Sequence, residues 1–441
     1  MFDFRSFSYA YVCSLTLAAG LMFTPDMLSL YGSSLGTVGW IFVLIMPVAV
    51  GVHLATVQSF QQLHSQGGGH FAGLQNNLGR RGAAVVALSG KLPFAVCASA
   101  ALAVTAGFLF NEVFVYWFPN FAFAFLLLGA IAAVNLVSRT AAQAAQIIGV
   151  STACIGLIVL CGASLSHLPG ELGTHDFKFD VDYRYLAATF VVLIGYDLGL
   201  YVHGNDHRSS WRAGAMVAAV VGGAVIVALW GLAAMTVISP EKLESSTVPH
   251  MTLASRALGQ AGRYVMGTVA IAAVCGAINA MMHSVGMMAG ELAKNYLKNN
   301  PKSDASRLVR PATVVFIAGA SAALMALGFA GEAYLETWIR AGIILWMLYY
   351  TVVNITAIRT AHRRSLAQPQ AKASAGLLLK IVSIVALSLA ATGMILAEPE
   401  PFQLLMFAIA AVTMLALMVN LVDFFLNRSK TMRPRQQRAQ S

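Results

Sequence analysis

The sequence predicts an all-α polytopic membrane protein of about twelve transmembrane helices. Three observations predict it. Of the 441 residues, 58% are hydrophobic and only 10% are charged, against about 25% charged residues in soluble globular chains. The apolar residues run in stretches of roughly 20, the length of a spanning helix, without the strict alternation of a barrel strand. The basic residues are spread unevenly between the two sets of loops that such spans define. A mean hydropathy of +0.72 agrees. This composition excludes a soluble enzyme, a disordered chain and a disulfide scaffold.

Twelve spans follow in order, at roughly 8–30, 37–60, 83–111, 120–138, 143–166, 184–203, 212–237, 264–292, 311–330, 334–358, 375–396 and 401–426. Their ends are set to within about 2–4 residues. The first span is expected to be a retained span and not a signal peptide, because it lacks a basic start beyond Arg5, and Pro25 and Asp26 fall where a cleavable segment would end. An even number of spans puts both termini on one side. All but six of the 28 basic residues (Lys178, Arg184, Lys242, Arg256, Arg263 and Arg340) then fall on the side of the termini. That set includes Lys91, Arg310 and Lys380, counted as loop residues. Basic loops stay cytoplasmic, so both termini are expected inside a cell (plasma or inner) membrane.

No room is left for a soluble domain. Residues 1–426 read as one transmembrane domain, with repeats roughly at 8–166 and 184–358 and extra helices roughly at 375–426. Residues 427–441 read as a basic cytoplasmic tail beside anionic lipid. The net charge of +10 follows the loops, so no nucleic-acid partner is expected. The cysteines Cys13, Cys97, Cys154, Cys161 and Cys275 all lie in apolar runs and read as small buried hydrophobes. No metal site and no cofactor is expected. GxxxxGK[ST], HExxH and GxSxG are absent, and Gly67-Gly68-Gly69 lacks the strand–turn–helix context of a phosphate loop, so it reads as a hinge or turn.

Two spans look interrupted. In the first, Ala18, Ala19 and Gly20 cluster mid-span and Pro25 follows. In the sixth, Gly195 sits mid-span, two residues before Asp197. Broken backbone at membrane depth exposes N–H and C=O groups that must be satisfied, and half-helix ends attract ions and polar ligands. Breaks five spans apart suggest two five-helix repeats of opposite topology with a site between them. The bland alternative is that Gly20 and Gly195 let neighbouring helices pack closely.

Intramembrane acids default to function, since a charge at mid-bilayer costs at least about 2.5–3.5 kcal/mol. Asp197 is therefore a candidate proton carrier or partner for a substrate ammonium, with a structural hydrogen bond as the alternative. His283 and Ser284 lie within span 8, where a neutral histidine reads as held in the bundle by one hydrogen bond, and Asn279 reads as an interhelical contact. Asp26, Glu112 and Glu291 lie near span ends, within reach of water. His53 has no partner nearby in sequence.

The ordered motifs resemble those of the amino acid–polyamine–organocation (APC) superfamily. Gly20-Leu21-Met22-Phe23-Thr24-Pro25 resembles the end of the G-S-G-I-F-x-x-P stretch of the first helix. Gly67-Gly68-Gly69-His70-Phe71 with Leu78-Gly79 resembles the segment between helices 2 and 3. Phe190 through Asp197 resembles the F-x-x-x-x-G-(F/Y)-(E/D) stretch of helix 6. Arg212-Ala213 resembles the start of helix 7, and Ala277-Ile278-Asn279-Ala280 a stretch of helix 8. The resemblance covers spans 1 to 10. It departs from the family pattern at Ala18-Ala19, Trp211 and Ser284-Val285, and span 5 lacks the lysine that some relatives carry.

The resemblance implies a leucine-transporter-like 5+5 inverted repeat with two extra C-terminal helices. It implies alternating-access transport of an amino acid or related organic amine, coupled to protons or run as exchange. A substrate carboxylate is expected at Ala18, Ala19 and Gly20, its amine near Val191, Ile194 and Gly195, and proton coupling at Asp197. Phe108, Phe110, Trp338 and Trp346 are candidate gating rings around a site between helices 1, 3, 6, 8 and 10. The partners expected are that small-molecule substrate and the lipid bilayer, and the oligomeric state is left open. A non-transporting membrane sensor or scaffold with the same fold is the rival. A membrane enzyme ranks third, because no nucleophile–base set is present.

Overall fold

The computed structural model describes residues 4–65, 70–166, 183–202, 209–297, 305–367 and 376–438. The Gly67-Gly68-Gly69 hinge or turn lies outside them. The described backbone is helical, and no strand occurs within it. Helices α1 (Phe4–Ala19) and α2 (Pro25–Val38) form one broken crossing. They are followed by α3 (Trp40–His64), α4 (His70–Ser89), α5 (Lys91–Val113), α6 (Asn120–Val137) and α7 (Arg139–Ser166). The second broken crossing is α8 (Tyr183–Val191) with a 3-10 helix, Tyr196–Tyr201. After it come α9 (Ser209–Val237), the short α10 (Pro240–Ser245), α11 (Pro249–Leu297), α12 (Ala305–Ala326), α13 (Ala333–Ala367), α14 (Leu377–Ala397) and α15 (Pro401–Arg438).

Ten helical stretches among the described residues are long and apolar enough to span a bilayer. Two shorter apolar ones, Ser8–Ala19 and Ala187–Tyr201, belong to the broken crossings. The predicted spans are all present, with shifted ends. The first runs on to Val38, and the eighth starts as early as Pro249. The last helix continues without a stop to Arg438, so most of the stretch read as a tail is helical.

The first break has a local cause. Thr24 is in extended geometry (φ −65°, ψ 150°), its hydroxyl accepts from the Met27 N–H at 3.4 Å, and Pro25 occupies the first helical position. A hydroxyl cap followed by proline starts a helix without needing a preceding turn. The chain therefore ends α1 at Ala19 and restarts at Pro25.

Buried apolar side chains hold the bundle together, and α11 is the central scaffold, packed on α5, α7 and α12. The last helix, α15, rests on α4 and α13 and leaves Phe402, Met406, Ile409, Leu417 and Leu421 exposed, as a lipid-facing helix does. Arg81 on α4 pairs with Asp423 on α15.

Three basic residues read as loop residues are buried instead. Lys91 is 1% exposed, Lys380 3% and Arg310 8%. Each sits in the first two turns of its helix, and each finds a polar partner in the bundle: Lys91 in Asp197, Arg310 in the Asn135 carbonyl and Lys380 in Gln62. The candidate gating rings also divide. Phe108 is 47% exposed on the outside of α5. Phe110 stacks on Phe123 at 4.1 Å, and Trp338 on Phe407 at 5.2 Å, both within peripheral aromatic contacts. These three pack against neighbours or lipid because apolar rings carry no information about which face of a helix they occupy. Trp346 alone points to the centre.

Candidate functional site

The two breaks lie against one another. Gly195 holds φ +98°, a left-handed conformation open to glycine at little cost. A Cβ there would stand 2.7 Å from Leu21 Cδ1 on the first break. The Ser14 hydroxyl of α1 donates to the Gly199 carbonyl at 2.7 Å. Ala18, Ala19, Gly20, Val191, Ile194, Gly195 and Asp197 are all buried in this layer. Helix α1 runs through Ala19, so the Ala18 and Ala19 N–H groups lie inside it. The Leu21, Phe23 and Thr24 N–H groups donate to no backbone carbonyl. At the second break the Val191 carbonyl accepts from the Ile194 N–H at 3.0 Å, while the Phe190 carbonyl accepts from Leu193 at 3.3 Å.

Asp197 is fully buried and fully engaged. Its Oδ2 lies 2.7 Å from Lys91 Nζ. Its Oδ1 accepts from Tyr350 Oη at 2.7 Å and from Trp346 Nε1 at 3.0 Å. Tyr350 Oη in turn accepts from the Gly195 N–H at 3.1 Å, which ties the left-handed glycine to α13. Lys91 Nζ also lies 3.6 Å from the centre of the Tyr349 ring, a cation–π contact. A charge pair taken out of water needs this kind of accessory bonding, because desolvation otherwise exceeds the Coulombic gain.

His53, which has no partner nearby in sequence, has two in space. Its Nε2 stands 3.0 Å from the Phe190 carbonyl and its Nδ1 3.4 Å from Tyr196 Oη. A carbonyl only accepts, so Nε2 carries the proton and Nδ1 is the acceptor for the tyrosine hydroxyl. The imidazole thereby caps a carbonyl that the break in helix 6 leaves short of partners.

The first break is backed by an amide relay. Gln146 Nε2 on α7 donates to the Thr16 carbonyl at 2.9 Å. Asn279 on α11 donates to Gln146 Oε1 at 2.8 Å and to the Ala142 carbonyl at 2.9 Å. Asn135 on α6 donates to Asn279 at 2.7 Å, and Arg310 on α12 donates to the Asn135 carbonyl at 2.8 Å. A Cβ on Gly20 would stand 2.9 Å from Gln146 Nε2 and 3.0 Å from Ala280 Cβ, so the glycine permits the close approach. Asn279 thus makes the interhelical contact read from its sequence, and Ser284 donates to the Leu198 carbonyl at 3.0 Å.

On the side opposite the termini, a cavity of about 270 Å³ opens between α2, α8, α13 and α14. Ala187, Ala188 and Val191 line it from the second break, with Leu30, Ser33 and Ser34 from α2. Its polar wall is Glu398, which accepts from Thr337 Oγ1 and from Arg340 Nη1, each at 2.7 Å.

Sequence reasoning missed Lys91, Tyr350 and Gln146. Lys91 carried a signal, since a lysine eight residues inside a predicted span is costly unless paired. Tyr350 and Gln146 carried none, as tyrosine and glutamine recur throughout membrane helices.

No protein-family model matches the chain, nor does any curated protein sequence. Solved structures do. The Eremococcus coleocola manganese transporter, solved with an aromatic bis-isothiourea compound, aligns over 96% of both chains with a TM-score of 0.64 and 11% identity. A Na+-coupled sialic acid symporter in a substrate-bound outward-open state aligns over 87% of this chain and 89% of its own, with a TM-score of 0.53 and 11% identity. The chain therefore has the polytopic helical fold of these secondary transporters, with two broken crossings five spans apart and two further helices after the repeats.

Proposed function

We infer that the protein is a secondary active transporter of amino acids or related organic amines, working by alternating access in the cell membrane with both termini cytoplasmic. We assign it on this reading to the APC superfamily. The observation that carries the reading is a buried carboxylate, Asp197, paired with a buried lysine beside two apposed helix breaks. Broken helices supply open backbone groups for a zwitterion's two ends, and the ion pair supplies a group that gains or loses a proton.

On this reading the substrate carboxylate meets the first break just past Ala18, Ala19 and Gly20, at the N–H groups of Leu21, Phe23 and Thr24, since those of Ala18 and Ala19 lie inside α1 and that of Gly20 donates to the Leu17 carbonyl. The amine meets carbonyls at Val191 and Ile194, with Gly195 shaping the bend. The cavity reaching Val191 is the approach from the outer side. Protonation of Asp197 removes the counter-charge of Lys91, and the substrate's own charges rebalance the site. Proton coupling or exchange is favoured over sodium because the Gln146 amide already satisfies the Thr16 carbonyl at the first break. A manganese cargo is not carried over from the neighbour. Among the described residues no group of three or more His, Cys, Asp or Glu side chains is placed to hold a metal ion.

The test is uptake into proteoliposomes containing only this protein. Saturable, gradient-driven accumulation supports transport, whereas ligand binding without flux supports the rival sensor or scaffold. Asp197→Asn separates coupling from structure: uptake that keeps its pH dependence in this variant overturns the coupling role.

A further inference from the structure

The hydrogen bonds at the second break run in fixed directions. An amide N–H only donates, so the Gly195 N–H gives its proton to Tyr350 Oη at 3.1 Å. Tyr350 then points its own proton at Asp197 Oδ1, 2.7 Å away. The indole Nε1 of Trp346 donates to the same oxygen at 3.0 Å, and the Lys91 ammonium stands 2.7 Å from Oδ2. Asp197, Tyr350, Lys91 and Trp346 are each at most 1% exposed. This is the surrounding of an ionised carboxylate, with donors at both oxygens.

A proton added to Asp197 must reverse one of these contacts. On Oδ2 it would face the ammonium, and on the Trp346 side of Oδ1 an indole N–H, and neither group accepts. Tyr350 alone of the three both donates and accepts. A phenol oxygen carries its proton and its acceptor lone pair on opposite sides of the C–O bond, in the ring plane. When the hydroxyl turns to accept from the carboxyl proton, its own proton swings to the side of the Gly195 N–H. Two donors then meet, and the bond to Gly195 is lost. The ring itself has no need to move, stacked on Tyr196 at 4.9 Å between centres.

We propose that Tyr350 is a positioning residue that passes the protonation state of Asp197 to the second break. It holds Gly195 while the carboxyl is ionised and releases it when the carboxyl is protonated. This rests on the transport reading above. One proton comes from water on the side to which the site is open and stays on Oδ1, and Tyr350 keeps its own. The released bend carries the Val191 and Ile194 carbonyls, and Leu21, packed on Gly195, joins it to the first break. The titratable groups around Asp197 are Lys91 from α5, His53 from α3, Tyr349 and Tyr350 from α13, and Tyr196 and Tyr201 on its own element. That element also packs on α1, α9 and α11. Helix α1 reaches it through Ser14, next to Cys13, and α9 through Arg212 on the Leu200 carbonyl. Helix α11 brings Ser284, next to His283, and Glu291, which is near enough to bear on Tyr201.

The experiment uses the full chain in phosphatidylethanolamine–phosphatidylglycerol vesicles with equal pH on both faces. The labelled probe is whichever of the twenty common amino acids, putrescine and glycine betaine the wild type exchanges fastest. The readout is the KM of counterflow across the acid and alkaline range. The wild-type KM should fall with pH, by up to about tenfold per pH unit, the limit for one linked proton. Tyr350→Phe keeps the stacked ring and loses both bonds, so its KM should stay near the acid value and change less than about twofold. Trp346→Phe removes a different donor from Oδ1 and should keep the slope. A slope that survives in Tyr350→Phe, or that Trp346→Phe abolishes equally, overturns the role of Tyr350 alone. A second measurement needs no Tyr350 variant: hydrogen exchange of the segment holding Gly195, in wild type and Asp197→Asn at one pH. The asparagine turns its oxygen to Lys91 and its amide to Tyr350, which must then accept. The Gly195 amide should exchange about two- to twelvefold faster, and equal rates overturn the role. A wild-type KM that ignores pH overturns the coupling at Asp197 together with this role, and no flux of any probe overturns the transport reading beneath both.

Discussion

Replacing Lys91 with methionine keeps the aliphatic stem and removes the charge. At 2.7 Å the ion pair with Asp197 is worth about 6 kcal/mol at an effective dielectric of roughly 20. Desolvating the two ions costs several kcal/mol each. The pair as a whole is therefore close to neutral for stability, while either ion left alone is not. Lys91→Met should destabilise by about 3–5 kcal/mol, because the fully buried carboxylate keeps only Trp346 and Tyr350. Asp197→Asn should cost somewhat less, since the Tyr349 ring at 3.6 Å still faces the ammonium and is worth about 0.5–2 kcal/mol. The double variant replaces a buried pair by neutral groups, which is often neutral or stabilising by about 1–4 kcal/mol. Unfolding of the four proteins in detergent micelles, followed by intrinsic fluorescence against denaturant, closes the cycle. A coupling energy of about 3 kcal/mol or more is expected. Single losses that simply add in the double variant refute the idea that the two residues act as one unit.

Gly195→Ala combines a left-handed backbone with a Cβ 2.7 Å from Leu21 Cδ1. It should cost about 1–2 kcal/mol for the dihedral and a further 1–3 kcal/mol for overpacking. Adding Leu21→Ala should recover only the second part in the same unfolding assay. Gln146→Leu leaves the Thr16 carbonyl and Asn279 without their partner, at a cost of about 1–3 kcal/mol for each orphaned group, and uptake in sodium-free and sodium-containing buffer checks whether a cation then takes the amide's place. Ser33→Cys, placed on the cavity wall, should react with a membrane-impermeant maleimide added outside whole cells. Labelling only after the inner face is exposed would reverse the orientation assigned here.

The overall architecture was legible because it depends on local quantities. Long apolar runs leave no choice but helices in a bilayer, since every backbone group must be bonded within its own segment. The first break was legible for a similar reason: Thr24 and Pro25 start a helix from their own chemistry. Gly195 marked the second break, and the left-handed φ it adopts is one that other residues reach only at a cost. The aromatic rings could not be placed, as Phe108 and Trp338 show, because a ring suits lipid, periphery and centre equally.

Sequence alone determined the spans, their number, the two interruptions and that Asp197, an acid within a span, needs partners. Each follows from the cost of putting polar groups into hydrocarbon, a cost paid residue by residue and so written in composition. Only the tertiary structure decided that Lys91 crosses from the third span to meet Asp197. It alone brought Tyr350, Trp346 and His53 to the second break from helices more than 130 residues away. A buried charge announces that it needs a partner, but which helix provides one is fixed by how the bundle packs.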